Sequence, residues 1–194
     1  VKYAVDDTKT TEVLLGSGVA RSHDKPHLTD VLRYIKKQLG TDYKGGSWGA
    51  PGLTAEIGFL WEETLSRVFG SRFAARLGEV IVDGIALSPD GFNYDEILAC
   101  PVVEEYKATW KSSKNDPTDN WDWMVQTKAY CYALGVEATV FRILYMMGDY
   151  KGSGPLYREC RILYTDQELR DNWEMILNNR DAAWKEILRE RGGV

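Results

Sequence analysis

The sequence is poor in cysteine, has no long apolar run and carries no excess of positive charge. Its three cysteines, Cys100, Cys131 and Cys160, are an odd number with no CxxC pair. That usage argues against a zinc or iron–sulfur site and for reduced, buried thiols in a cytosolic protein. No stretch approaches the length of a membrane span and no secretory pattern opens the chain, so no membrane partner and a cytoplasmic location are expected. Lys and Arg number 24 against 29 Asp and Glu, a net charge of −5. A simple nucleic-acid binder is usually basic. A nuclease, however, gathers acid where cations bind and can hold phosphate on local basic patches, so overall charge decides little. The glycine-rich run at 44–52 lacks the spacing and the Lys-Ser/Thr ending of a phosphate-binding P-loop and reads as a loop.

What the sequence does contain is a regular alternation of elements over 194 residues, enough for one domain with a real core. Residues 1–26 are weakly patterned and read as an N-terminal arm. Thr29 is expected to cap a helix with Val31, Leu32, Ile35 and Leu39 inside and Arg33, Lys36 and Lys37 outside. Those bases are either a solvated face or a DNA-backbone contact. A second helix spans about 55–69, with Thr54 as its cap. Apolar, turn-bounded runs at 72–87 and 97–110 predict a strand pair, with 89–96 as its connection and Asp90, Asp95 and Glu96 as turn carboxylates. A third helix runs from about 120 to 134, capped by Thr118 or Asp119 and closed by Gly135. A hairpin of strands follows, at 137–145 and 156–164. Thr165 or Asp166 caps a last long helix, 166–191.

Polar residues interrupt the apolar patterns at a few places. Alternation places Val103, Glu105, Lys107 and Thr109 on one strand face. Asp83 stands alone among its apolar neighbours Ile81, Val82 and Ile85, next to Gly84. Glu62 follows Gly58 by one helical turn, which leaves room beside its carboxylate. Gln126 and Tyr130 are four apart and share a helix face. Carboxylates and a lysine at the end of a strand pair suit a hard divalent cation and a water nucleophile. The competing readings are ordinary: a surface salt bridge for Glu105–Lys107, a turn cap for Asp83, a surface acid for Glu62 and a satisfied polar pair for Gln126–Tyr130.

Gly58-Phe59-Leu60-Trp61-Glu62, Asp83-Gly84, Glu105-Tyr106-Lys107 and Gln126-Thr127-Lys128-Ala129-Tyr130 occur in the order, and on the expected elements, of one superfamily. The chain resembles the PD-(D/E)XK nucleases, in the branch of RecB-like domains and phage lambda-type exonucleases. Val82 stands where the superfamily's proline would be. The resemblance implies an α/β (α+β) restriction-endonuclease-like core, a central mixed sheet flanked by helices in the order αβββαβ. To this are added an extra hairpin strand and the long C-terminal helix. The whole of 1–194 would be one nuclease domain, with its catalytic core at 54–164.

The resemblance further implies a DNA nuclease using Mg²⁺, or Mn²⁺ as a substitute, and no iron–sulfur cluster. Asp83, Glu105 and the Tyr106 carbonyl would hold the metal, with Glu62 from the helix side. Lys107 would orient the attacking water and help remove its proton. Gln126 and Tyr130 would position the nucleophile side and a phosphate. An exonuclease of recombination, repair or phage DNA processing, in a bacterial or phage-infected cell, is expected, with room for a homo-oligomer or a recombination partner protein. A structure-selective endonuclease, a hydrolase of another phosphoester, and a catalytically inactive DNA-binding or scaffolding domain are the alternatives.

Overall fold

The architecture, in a computed structural model, is described for residues 11–13, 24–40, 60–61, 63–64, 77–152 and 154–192. Glu62, Gly58, the glycine-rich run and most of the N-terminal arm lie outside these residues. The elements are β1 (Thr11–Val13), α1 (Leu28–Gln38), β2 (Val80–Val82), β3 (Ile85–Leu87), β4 (Gly91–Asp95), β5 (Cys100–Thr109), a 3₁₀ turn (Pro117–Asp119), α2 (Trp121–Leu134), β6 (Ala138–Tyr145), β7 (Leu156–Leu163) and α3 (Asp166–Glu190). They form a mixed α/β fold with two sheets, β1-β2-β3 and β4-β5-β6-β7. In the larger sheet β5 pairs antiparallel with β4 and parallel with β6, and β7 closes it antiparallel to β6. The parallel pair is joined by α2, as a crossover between parallel strands requires. Among the described residues no helix is long and apolar enough to cross a membrane.

The main core lies where α1, α2 and α3 pack together against the sheets. It gathers Leu28, Val31, Leu32 and Ile35 of α1, Ala129 and Tyr130 of α2, and Leu169, Trp173 and Ile176 of α3. The α1 residues recur at helical spacing on one stripe. The basic residues of α1 are ion-paired: Arg33 with Asp30, Lys36 with Asp122 and Lys37 with Glu186. The α3 N-terminus is a capping box, with Thr165 accepting from the Glu168 amide and Glu168 accepting from the Thr165 amide. Gly135 closes α2 at φ +66, the left-handed conformation that glycine adopts without strain.

Three expectations are corrected. His27, not Thr29, is the N-cap of α1, its ring nitrogen accepting from Thr29 N–H. The N-cap of α2 is Asn120, because Thr118 and Asp119 are taken up in the 3₁₀ turn. The run ending at Leu87 is not one strand pairing with β5. It folds on itself as the β2–β3 hairpin, with Val82 opposite Ile85 and Asp83-Gly84 at the turn. Both turn residues have positive φ, +50 and +75, as a two-residue hairpin turn of this hand demands. The partner of β5 is instead β4, built from residues expected to be connection.

Strand β5 carries charge on both faces. Glu104 is buried and accepts from Arg142 Nη2 at 2.9 Å and Nε at 3.2 Å, and from the Tyr106 hydroxyl at 2.7 Å. Arg142 also reaches Glu159 at 2.5 Å, and Arg161 joins Glu159 to Asp95. A buried carboxylate stripped of its counter-ion is strongly destabilising. Arg142→Met is therefore expected to cost about 3–5 kcal/mol, seen as a lower urea midpoint. Adding Glu104→Met in the same chain should recover most of that loss.

Candidate active site

The register of β4 on β5 creates the site. The last pair of that ladder is Gly91 opposite Glu104, whereas β5 continues beside β6 to Thr109. Among the described residues, β5 has no strand on its β4 side from Glu105 onward. The Tyr106 amide points to that side and donates to Asp90 Oδ2 at 2.8 Å. A residue's N–H and C=O point to the same edge of a strand, so the Tyr106 carbonyl is directed toward the same gap. Gly91 lets this happen. A Cβ added there would stand 3.0 Å from the Tyr106 hydroxyl and 3.3 Å from Glu104 Cβ.

On the α2 face of β5, Glu105 and Lys107 form an ion pair through Oε1. Lys107 Nζ also donates to Gln126 Oε1 at 3.3 Å, and Gln126 Nε2 donates to the Tyr130 hydroxyl at 2.8 Å. The four residues thus make one continuous chain of contacts from strand to helix. Glu105 is 1% exposed, which excludes a surface salt bridge. Its second oxygen, Oε2, is buried with no hydrogen-bond partner. Burial first, and then the Asp90 charge, push the Glu105 carboxyl up to about 8, against the pull of Lys107. Burial works to lower the Lys107 pKa, but the carboxylates of Glu105, Asp90 and Asp122 outweigh it and the net shift is upward. Lys107 is therefore held protonated by the carboxylates around it.

Asp83 sits apart from this chain of contacts. It lies on the β2–β3 turn of the other sheet, where its Oδ2 accepts from Trp173 Nε1 at 2.8 Å and its carbonyl accepts from Arg180 Nη1 at 2.8 Å. The acid electrostatically coupled to Glu105 and Lys107 is Asp90, which the sequence reading placed in a turn. The available signal was Pro89-Asp90-Gly91 directly before an alternating run. Glu62 lies outside the described residues. Among the described residues no group of three or more His, Cys, Asp or Glu is placed to hold a metal ion. Asp90, Glu105 and the Tyr106 carbonyl form a smaller oxygen set.

The chain is similar to a phage-related exonuclease from Haemophilus somnus 129PT, at 12% identity and TM-score 0.49 over 84% of this chain and 83% of that one. It is also similar to an alkaline exonuclease from Laribacter hongkongensis, at 16% identity and TM-score 0.49 over 85% and 90%. No family model matches the sequence, and none of the curated proteins does.

The oxygen set fits a hard divalent cation on two grounds. Glu105 Oε2 is an orphaned buried acceptor, which is costly unless something pairs with it. Burial and the Asp90 charge disfavour ionisation of Glu105, and an oxygen-liganded Mg²⁺ or Mn²⁺ would stabilise the ionised carboxylate. The two candidate aspartates separate by stability. Asp83→Asn keeps an acceptor for Trp173 and tolerates positive φ, so it should stay within about 0.5 kcal/mol of the parent. Asp83→Ala should lose about 1–3 kcal/mol by orphaning the indole N–H, measured by urea unfolding.

Proposed function

We propose that the protein is a metal-dependent DNA nuclease that hydrolyses phosphodiester bonds at the split between β4 and β5. The observation that carries this reading is the unbroken Glu105–Lys107–Gln126–Tyr130 contact chain beside Asp90, with Glu105 Oε2 buried and unpaired. Asp90, Glu105 and the Tyr106 carbonyl would hold Mg²⁺ or Mn²⁺, and Glu62, outside the described residues, remains a candidate further ligand. Asp83 is assigned to fastening the β2–β3 hairpin instead. When bound, the cation would lower the pKa of its water, shield the phosphate and relieve the hold of the carboxylates on Lys107. Lys107 orients the attacking water as a hydrogen-bond donor. Gln126, with one amide end on Lys107 and the other on Tyr130, fixes the direction of that donor. The Glu105 ion pair anchors the same ammonium from the strand side.

Within this reading an exonuclease of recombination, repair or phage DNA processing is the preferred form. End-labelled linear DNA and covalently closed circles, incubated with Mn²⁺, test this. Release of nucleotides from linear duplex with circles left intact is expected, and nicking of circles would make it an endonuclease. Asp90→Asn, Glu105→Gln and Lys107→Met should each lower the rate by about 10²-fold or more, while Asp83→Asn keeps activity. Loss of cleavage in Asp83→Asn with retention in Asp90→Asn would overturn the assignment.

Metal binding should also displace a proton. The Glu105 carboxyl titrates near 8 in the cation-free protein, and a carboxylate must be ionised to ligate. At pH 7, calorimetry of Mn²⁺ binding in buffers of different ionisation enthalpy should report release of up to about one proton. Affinity should climb as pH rises toward 8 and level off above it.

A further inference from the structure

A cavity of about 300 Å³ opens between the loop after β5, the 3₁₀ turn and the start of α2, with Lys111, Asp116, Pro117, Asn120, Trp123 and Tyr145 in its walls. Its polar groups are ordered. Lys111 Nζ lies 5.5 Å from the centre of the Trp123 ring. With the Asn120 amide turned oxygen-inward, that oxygen accepts from Lys111 Nζ at 2.9 Å and from Trp123 Nε1 at 3.1 Å. Asp116 is fixed by the Thr118 amide and hydroxyl at 2.9 and 2.8 Å. Tyr145 is 1% exposed; the Arg158 guanidinium beside its hydroxyl can only donate, so the phenol proton has no acceptor. Burial raises the pKa of that phenol, and the charge and hydrogen bond of Arg158 oppose the rise. Leaving a buried hydroxyl unpaired costs about 1–3 kcal/mol, which a ligand acceptor would recover.

The lining selects a chemical class. Asp119 joins Asp116 on the rim, so two carboxylates face one ammonium and a bare phosphate is disfavoured. A purely apolar group would leave the Tyr145 phenol proton without an acceptor. A planar heterocycle with donors and acceptors around its edge satisfies both the aromatic floor and the rim. The position is also informative. Lys107 and Lys111 are four residues apart along one strand direction, about 13 Å at most. Trp123 is one helical turn from Gln126 on the same face of α2. Both spacings put the cavity within about 13 Å of the Glu105–Lys107 pair.

We propose that this cavity is a nucleobase subsite, which takes the base of one unstacked nucleotide of the strand bound at Lys107. Its link to that strand rests on the nuclease reading above, whereas its affinity for a base does not. Calorimetric titration of the metal-free protein with the four deoxynucleoside 5′-monophosphates, deoxyribose 5-phosphate and inorganic phosphate tests it. At least one nucleotide should bind about tenfold or more tightly than deoxyribose 5-phosphate, because stacking of a base is worth about 1–3 kcal/mol. Tyr145→Phe should weaken that nucleotide by up to about tenfold, and circular dichroism would confirm an intact fold. Lys111→Gln, at an exposed side chain, gives a second reading in the same direction. Equal binding of sugar phosphate and nucleotide, no binding of either, or nucleotide affinity unchanged in both variants overturns the subsite. A protein that binds nucleotides but cuts no DNA sinks the proposed function and leaves the base pocket standing. One that cuts DNA but binds no nucleotide does the reverse.

Discussion

The hydrogen bond from the Tyr106 amide to the Asp90 carboxylate is the contact on which the site depends. A strand that outlasts its neighbour leaves amides with no ladder partner, and buried backbone groups without partners are costly. Here a side chain, not a strand, takes the amide. That substitution stops β4 at Gly91 and brings a carboxylate level with Glu105. It also leaves the backbone edge of β5 facing a gap lined with oxygen. Glycine next to Asp90 is part of the same device, since any Cβ would meet the Tyr106 ring and Glu104.

The two faces of β5 treat adjacent glutamates differently. Glu104 receives a guanidinium, a phenol and the Asn93 amide. It is a satisfied structural charge that ties β4, β5 and β6 together. Glu105, one residue on, receives a single ammonium and keeps one oxygen orphaned. Equal burial with unequal compensation fits a structural role for Glu104 and the binding role proposed for Glu105.

The sequence made much of this legible, and physics explains the rest. Alternation placed Glu105 with Lys107, and four-residue spacing placed Gln126 with Tyr130. Both are local periodicities that tertiary structure preserved. Thr165 and Gly135 were readable for the same reason, as capping chemistry acts over a few residues. The choice between Asp83 and Asp90 was not local. It depended on which upstream segment pairs with β5, and an apolar run with Asp83-Gly84 inside it was read as a single strand, although that dipeptide between apolar residues signals a tight hairpin. Register also decided the burial of Glu104, since alternation assigns faces but does not say that both are covered.

The hairpin turn at Asp83 reaches α3 through Trp173 and Arg180, partners 90 and 97 residues away. Lys37 of α1 meets Glu186 of α3 across 149 residues. Such pairings return no stabilisation until very long loops have closed, and the entropy of closure is lost first. The chain's two ends must find each other before the centre is braced, which places this topology among those that fold slowly for their size.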